Sequence, residues 1–399
     1  MIDKLLSPSV QSFILKHENE DPFQLSLKYK EVDGIPIRLI SEQISGKQKA
    51  KGKLPYWYSR EGILYPPKLS IEQCSSQSTA EYKASLLKGH AFVDLTGGTG
   101  VDTWALSQSF RKGSYVEKLE NLAILARSNF SVLKRHNIEV LNITAENYLN
   151  SASGKVDCIY IDPARRDEDK NRVFRLGDCA PNIIQLLPQL KKKAHKILIK
   201  TSPMMDIDLA IRSLGSVSEV HIVAVKNDCK EVLYLISETQ SNEISFFTVN
   251  FKKGRTERFN STLNKIIAAR AHLSRPMEYL YEPNASILKA GAFDLVSEKF
   301  SIFKLHKHTH LYTSDQLITE FPGRVFKVEQ LLPYAKKEIR LAIPDGKANI
   351  STRNFKDDVA TIQKKTGIKD GGEAYLLGFT DLDEVQRIAL CTKAKLLSD

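Results

Sequence analysis

The sequence predicts an α/β protein built on an open, mainly parallel sheet, with a helical region before it and a small α+β domain after it. Three observations carry this. Short Val- and Ile-rich runs alternate with helical stretches from about residue 90 to 240, which implies parallel strands joined by right-handed crossovers. A glycine-rich turn separates the first such run from the first helical stretch. The last two runs are separated only by KNDCK (226–230), too short for a crossover helix. They therefore form a hairpin, and the final strand runs antiparallel.

The elements follow in chain order. Residues 1–72 read as a helical N-terminal region. Its start, MIDKLLSPSVQSFILKHENEDP, has amphipathic spacing rather than the basic start and apolar middle of a secretory signal. A loop, SGKQKAKGKLP, then places Lys47, Lys49, Lys51 and Lys53 within seven positions. Residues 73–242 form the central domain. Its seven strands are AFVDL (91–95), SYVE (114–117), IEVLN (138–142), VDCIYID (156–162), HKILIK (195–200), VHIVAV (220–225) and EVLYLIS (231–237). Helices lie near 101–110, 120–135, 179–190 and 206–214. Residues 243–321 hold a basic linker helix over 255–275 and a mixed segment opening with YLYEPNASILKAGAFD. Residues 322–399, with strands near VFKVEQ and EAYLLGF and a helix near NFKDDVATIQKKTG, form the small α+β domain.

Composition narrows the class. Apolar content of 42% and charged content of 26% are those of an ordinary globular protein. No apolar run reaches the roughly 18 residues of a membrane span. The five cysteines are scattered, odd in number and without a CxxC pair. Free thiols in a reducing cytoplasm are the simplest reading. A net charge of +11 suits a polyanionic partner such as nucleic acid.

The chemistry concentrates at the strand ends of the central domain. Asp94-Leu-Thr96-Gly-Gly98-Thr-Gly100 has the form D-x-x-x-G-x-G. Ligands of open parallel sheets sit beyond the carboxyl ends of the strands, where glycines let main chain approach them. A dinucleotide site would place a third glycine where Thr103 stands, and no G-K-[ST] is present, which excludes a Walker loop. The second strand ends in Glu117, placed to bond ribose hydroxyls; Glu120 is its neighbour and rival. Thr144-Ala145-Glu146, after the third strand, are placed to flank an adenine. The fourth strand ends in Asp162-Pro163-Ala164-Arg165-Arg166. Proline holds that loop extended, and Asp162 either positions a substrate amino group or belongs to a simple turn. Arg165 and Arg166 either clamp a phosphate or lie on the surface.

DLTGGTG, YVEK and DPAR, in this order, resemble the first, ribose-binding and fourth motifs of a class I S-adenosylmethionine-dependent methyltransferase. The resemblance covers about residues 75–240 and implies a Rossmann-like seven-stranded methyltransferase sheet with S-adenosyl-L-methionine as cofactor. By carry-over, Gly98 and Gly100 line the methionine part together with Thr96, Asp94 lies beneath it, and Glu117 holds the ribose. Gln77, Ser78 and Thr79, before the first strand, add cofactor contacts. Asp162, Pro163 and Arg165 fall at the catalytic position.

The fourth motif departs from two familiar patterns. Enzymes methylating exocyclic amines usually carry D/N-P-P-Y/F, and Arg165 stands where their aromatic ring would be. RNA uridine-C5 enzymes carry DPPR with a cysteine after the fifth strand, where this chain has Lys200-Thr201-Ser202-Pro203. Direct, non-covalent transfer is therefore the expected mechanism, with Asp162 and the Pro163 carbonyl orienting the acceptor. Lys200 and Asn227 are further candidates for substrate contact. Cys229, beside Lys230, is a weaker candidate nucleophile.

Beyond the core, EPNASILKAGAFD resembles the start of a ferredoxin-like segment, and ANISTRNFKDDVATIQKKTGIKDGGEAYLLGFTD resembles a THUMP-like domain. Together with the core they resemble one bacterial family of methyltransferase-like proteins. THUMP domains occur in tRNA-modifying enzymes, so the resemblance implies RNA, tRNA or rRNA, as partner. Lys47 to Lys53, Arg353 and Lys356 are candidate phosphate contacts, or solvated surface charge. His306, His308 and His310 would share one face of a strand, but no acidic or cysteine ligand stands beside them, so no metal is expected.

Overall fold

The computed structural model describes residues 2–165, 175–239 and 242–394. The chain forms two compact units, Met1–Val217 with Tyr234–Gln240, and Ser218–Leu233 with Ser241–Asp399.

The first unit opens with helices α1 (Pro8–Lys16), α2 (Pro22–Lys28) and α3 (Ile37–Lys53). They bring Val10, Ile14, Leu25, Ile40 and Ile44 into one apolar cluster with Leu64. The lysine-rich stretch expected as a loop is the C-terminal half of α3. Lys, Gln and Ala are good helix formers. Gly46 is kept for packing, since a Cβ there would fall 2.3 Å from Cβ of Tyr65. Lys47 is accordingly buried, 3.6 Å from the Glu18 carboxylate and 4.7 Å over the Tyr58 ring. Lys49 pairs with Glu72 at 3.2 Å, and Lys51 lies 5.8 Å over Tyr58. Lys53 donates to the carbonyls of Ile71 and Glu72 near the end of α4 (Lys68–Gln73).

Helix α5 (Gln77–Ser85) leads into the sheet. Strands β1 (Gly89–Asp94), β2 (Phe110–Val116), β3 (Ile138–Leu141), β4 (Val156–Ile161) and β5 (Ala194–Thr201) are parallel. Phe92, Val93, Ile159, Tyr160 and Ile197 to Ile199 are buried, as strands covered on both faces require. The crossovers are α6 (Val101–Leu106), α7 (Glu120–Val132), α8 (Ala145–Ser151) and α9 (Ile183–Lys193). Helix α8 is not apparent from the sequence pattern. Helix α9 starts later than expected because Cys179–Ala180 instead pair antiparallel with Ala164–Arg165. The helical region is fastened to α7 by Asn129, whose buried amide exchanges two hydrogen bonds with the main chain of Leu64.

Helix α10 (Ile207–Leu214) precedes β6 (Val217–Val225) and β7 (Asp228–Ser237). Their turn is only Lys226-Asn227, with φ of 53° and 63°, the signature of a type I′ hairpin. The last strand is thus antiparallel, and Asp228, Cys229 and Lys230 belong to β7 rather than to a loop. In the first unit the order is β7-β5-β4-β1-β2-β3. In the second it begins β9-β8-β6-β7, with β7 contributing to both.

The region 255–275 is not the expected linker helix. β8 (Ser245–Lys252) runs parallel to β6, and β9 (Arg255–Thr262) returns antiparallel across a two-residue turn. Thr256, Phe259 and Thr262 favour a strand, and only α11 (Leu263–Ala268) is helical. The rest of the second unit holds a seven-stranded sheet. Its strands are β10 (Tyr279–Pro283), β11 (Phe303–His306), β12 (Thr309–Ser314), β13 (Gly323–Pro333), β14 (Asn349–Arg353), β15 (Tyr375–Thr380) and β16 (Gln386–Lys393), in the order β11-β12-β10-β13-β16-β15-β14. The long β13 pairs with β10 through its first half and with β16 through its second. The ferredoxin-like segment and the α+β domain therefore share one sheet.

Burial of Lys47 against Glu18 makes it a structural residue. Lys47→Ala should lower unfolding free energy by about 1–3 kcal/mol, read by urea denaturation. An unchanged urea midpoint would show that its pairing with Glu18 does not support the fold.

Candidate functional site

The glycine turn is shaped by the strand beside it. A Cβ on Gly97 would fall 2.2 Å from the Tyr115 ring. Its N–H donates to the Val116 carbonyl at 2.9 Å, and the Tyr115 hydroxyl donates to the Gly98 carbonyl at 2.6 Å. Gly98 and Gly100 take φ of 53° and 80°, the left-handed region open to glycine. Glu117, just past β2, is fixed by main chain: its carboxylate accepts from Gly98 N–H at 2.9 Å and Leu119 N–H at 2.8 Å. Each oxygen retains acceptor capacity for a ligand.

Asp94 is only 1% exposed. It accepts from Thr96 N–H at 3.0 Å and from the Thr103 hydroxyl at 2.6 Å. Burial pushes its carboxyl up to about 7, against the lowering effect of these two bonds. Thr103, at the position where a dinucleotide fold would want glycine, thus anchors α6 to β1. The Thr96 hydroxyl accepts from Asp162 N–H at 2.7 Å, tying the tip of β1 to the tip of β4. Lys200, near the end of β5, forms an ion pair with the Asp162 carboxylate.

A second polar group lies beneath the turn. Asp102 on α6 accepts from the hydroxyls of Ser75 at 2.9 Å and Tyr160 at 2.7 Å. Lys83, fully buried on α5, stands 3.2 Å from its other oxygen. Burial pushes the Asp102 carboxyl up, but Lys83 and then Lys200 outweigh it and leave it below its ordinary value. Ser75, Lys83, Asp102 and Tyr160 are not apparent from sequence, and Thr103 is marked there only as the place of a missing glycine. The one signal was an acidic residue two positions past Gly100, in the first turn of a helix that otherwise reads apolar.

Part of this arrangement borders one cavity of about 580 Å³ in the first unit. Asp94, Thr96, Gly98, Glu117, Thr144, Ala145, Glu146 and Asp162 all line it, together with Ala164, Ala180 and Pro181. Gly100 instead starts α6, and Gln77 and Thr79 are not among the lining residues. Gln77 accepts from Tyr56 N–H at 2.8 Å, and buried Thr79 is bonded to the α5 N-cap residue Ser76. Gln73, Cys74 and Ser75 line the cavity in their place. A cap at Ser76 turns α5 away just before the expected contacts.

The remaining candidates fall as follows. Pro163 is half-buried, Arg165 ends the short strand paired with Cys179, and Arg166 lies outside the described residues. In the second unit, Asn227 accepts from Ala285 N–H at 2.9 Å, and Arg353 pairs with buried Glu282 at 2.5 Å. Burial pushes the Cys229 thiol up to about 12, which works against a thiolate there. The histidines do not share one strand: β11 ends at His306 and β12 holds His310. His306 bonds Glu384 at 2.9 Å, and His310 stacks on Phe293 with centroids 3.6 Å apart. Among the described residues no group of three His, Cys, Asp or Glu is arranged to hold a metal, and no helix is long and apolar enough to cross a membrane.

Residues 279–322 match a family described as a ferredoxin-like domain, and residues 323–393 one described as THUMP domain-like. A crystal structure described as a "putative methyltransferase from Porphyromonas gingivalis W83" is 31% identical in sequence. The match covers 96% of this chain and 97% of that one, with a TM-score of 0.86. Ribosomal RNA small subunit methyltransferase J of Francisella philomiragia subsp. philomiragia is 30% identical over 93 residues, 21% of this chain. The chain spans 39% of that relative's length.

Two consequences follow from the turn. Gly97→Ala forces a methyl group into the Tyr115 ring and should cost about 1–3 kcal/mol; an unchanged urea midpoint would show that the ring can move aside. Unfolded Asp94 releases its proton near 3.8 and folded Asp94 near 7. Folding therefore takes up a proton between those values, and its contribution to stability falls as pH rises through that window. Asp94→Asn should flatten this part of the stability–pH curve, and an unaltered slope would place the proton elsewhere.

Proposed function

We propose that this chain, which belongs to the same family as that Porphyromonas gingivalis protein, is an S-adenosylmethionine-dependent methyltransferase acting on tRNA or rRNA. The observation that carries the reading is the single cavity onto which Gly98, Glu117, Thr144 to Glu146 and Asp162 all open. Its residues fit the cofactor. The two Glu117 oxygens suit a ribose diol, the main chain of Thr144 to Glu146 offers an edge for adenine, and the glycine turn admits the methionine part against main chain. A volume of about 580 Å³ is in the range of pockets that enclose ligands of this size. Bound there, the cofactor supplies an electrophilic methyl group on a sulfonium.

The chain's own residues do the positioning. Thr96 fixes the Asp162 main chain, so that the Asp162 carboxylate and the Pro163 carbonyl hold the acceptor in one place. No cysteine stands just after β5, where the chain reads Ser202-Pro203, which favours direct transfer over a covalent intermediate. RNA as substrate is supported by the net charge of +11, the THUMP-like match and the ribosomal RNA methyltransferase relative. Such a substrate supports a cytoplasmic location as part of the same reading.

Calorimetry tests the cofactor: micromolar binding of S-adenosylhomocysteine is expected, and none at any workable concentration would sink the reading. Glu117→Ala should weaken that binding by about 1–3 kcal/mol, whereas Asp162→Ala should keep binding and lose turnover. Nucleoside mass spectrometry of total RNA from a deletion strain should show one missing methylated nucleoside. An unchanged profile would redirect the search to protein or small-molecule acceptors.

A further inference from the structure

The second unit holds a groove of about 540 Å³ at β9, the edge strand of its sheet. We infer that this groove is a contact site for single-stranded RNA, with a backbone phosphate held by Lys265 and Lys299 and the adjoining base stacked on Phe247. The inference rests on the reading of RNA as the substrate. It names a contact for that RNA on residues outside the THUMP-like match.

The hairpin of β8 and β9 supplies one wall. Ser245 stands opposite Thr262 and Phe247 opposite Asn260, so these four side chains share one face. All four line the groove, as do Lys265 of α11 and Lys299 of the helix Phe293–Phe300. The Lys299 ammonium is held in place: it donates to the Asn260 carbonyl at 3.1 Å and lies 4.4 Å over the Phe259 ring. Desolvation, and then the charge of Lys265, keep it below its ordinary pKa. Among the described residues no carboxylate pairs with either lysine. Glu298, the acidic residue lining the groove, instead accepts from Arg270 N–H at 2.7 Å. Two like charges are thus neighbours in one concavity, and an anion between them relieves their repulsion.

Phe247 narrows the class of anion. His221 stacks on its ring with centroids 4.7 Å apart and planes 13° from parallel, and is itself bonded to Glu219 at 2.9 Å. The ring is therefore braced from behind while still lining the groove. An aromatic platform beside cations is what single-stranded nucleic acid uses, with the phosphate on the ammoniums and the base on the ring. The hydroxyls of Ser245 and Thr262 add donors for a phosphate oxygen or acceptors for a ribose 2′-hydroxyl. A duplex keeps its bases stacked on one another and leaves Phe247 unused. An acidic peptide satisfies the lysines but not the ring.

The test is fluorescence anisotropy of the full-length protein with a labelled single-stranded RNA of about 12 nucleotides. Lys265→Gln combined with Lys299→Gln should weaken binding about tenfold and flatten the slope of log affinity against log salt by about 1.4. Both lysines are exposed, so this double variant should keep the wild-type urea midpoint. Phe247→Leu should weaken binding about tenfold with the salt slope unchanged, because stacking releases no counterion. Wild-type affinity and slope in the double lysine variant would overturn the inference. So would a duplex of the same length, or a polyglutamate peptide, binding as tightly as the single strand. A wild-type protein that binds S-adenosylhomocysteine but no RNA would remove RNA from the proposed function together with this site. RNA binding that ignores the lysine substitutions would remove this site alone.

Discussion

One hydrogen bond, from Asp162 N–H to the Thr96 hydroxyl at 2.7 Å, sets the geometry on which the site depends. It joins the turn after β1 to the tip of β4. The residues read as holding the donor and the acceptor are then fixed relative to each other by one contact between residues 66 positions apart in sequence. The turn is held from its other side by Tyr115, whose ring fills the space above Gly97 and whose hydroxyl bonds the Gly98 carbonyl. Glu117 closes the arrangement by accepting from Gly98 N–H. A site so braced is organised before any ligand arrives, which is what positioning chemistry requires.

The buried charges beneath it are harder to justify as stabilisers. Taking Lys83 and Asp102 out of water costs several kcal/mol per ion, and their attraction offsets this only with good geometry and further hydrogen bonds. Asp102 has those bonds, from Ser75 and Tyr160. What the group achieves is orientation: it ties α5, α6, β4 and the Ser75 segment to one carboxylate directly under the cavity. Lys200 extends the same file of charges to Asp162.

The second unit solves a different problem. Its seven-stranded sheet has apolar clusters on both faces, one around Leu377, Phe379 and Ala389 and one around Leu376 and Ile388. Adjacent residues of one strand point to opposite faces, so both must be covered. Helices α12 (Lys336–Ala342) and α13 (Val359–Thr366) bury Ile339 and Ile362, and Ile339 belongs to the second of these clusters. Arg353 is used here to pair with buried Glu282 rather than being left as free surface charge.

Much of this was legible in the chain. The alternation of Val- and Ile-rich runs with helices determined a parallel sheet, KNDCK determined its antiparallel end, and Asp94, Gly98, Glu117 and Asp162 marked the strand tips that border the cavity. These are local signals, and strand period, glycine and proline act locally. The tertiary structure decided the rest. Whether Lys47 meets solvent or Glu18, whether Thr79 meets a ligand or its own helix cap, and whether 255–262 adds a strand to a sheet edge depend on neighbours far away in sequence. Lys200 is the clearest case. Its chemistry as a cation was plain from the sequence, but its pairing with Asp162 exists only because β4 and β5 lie side by side.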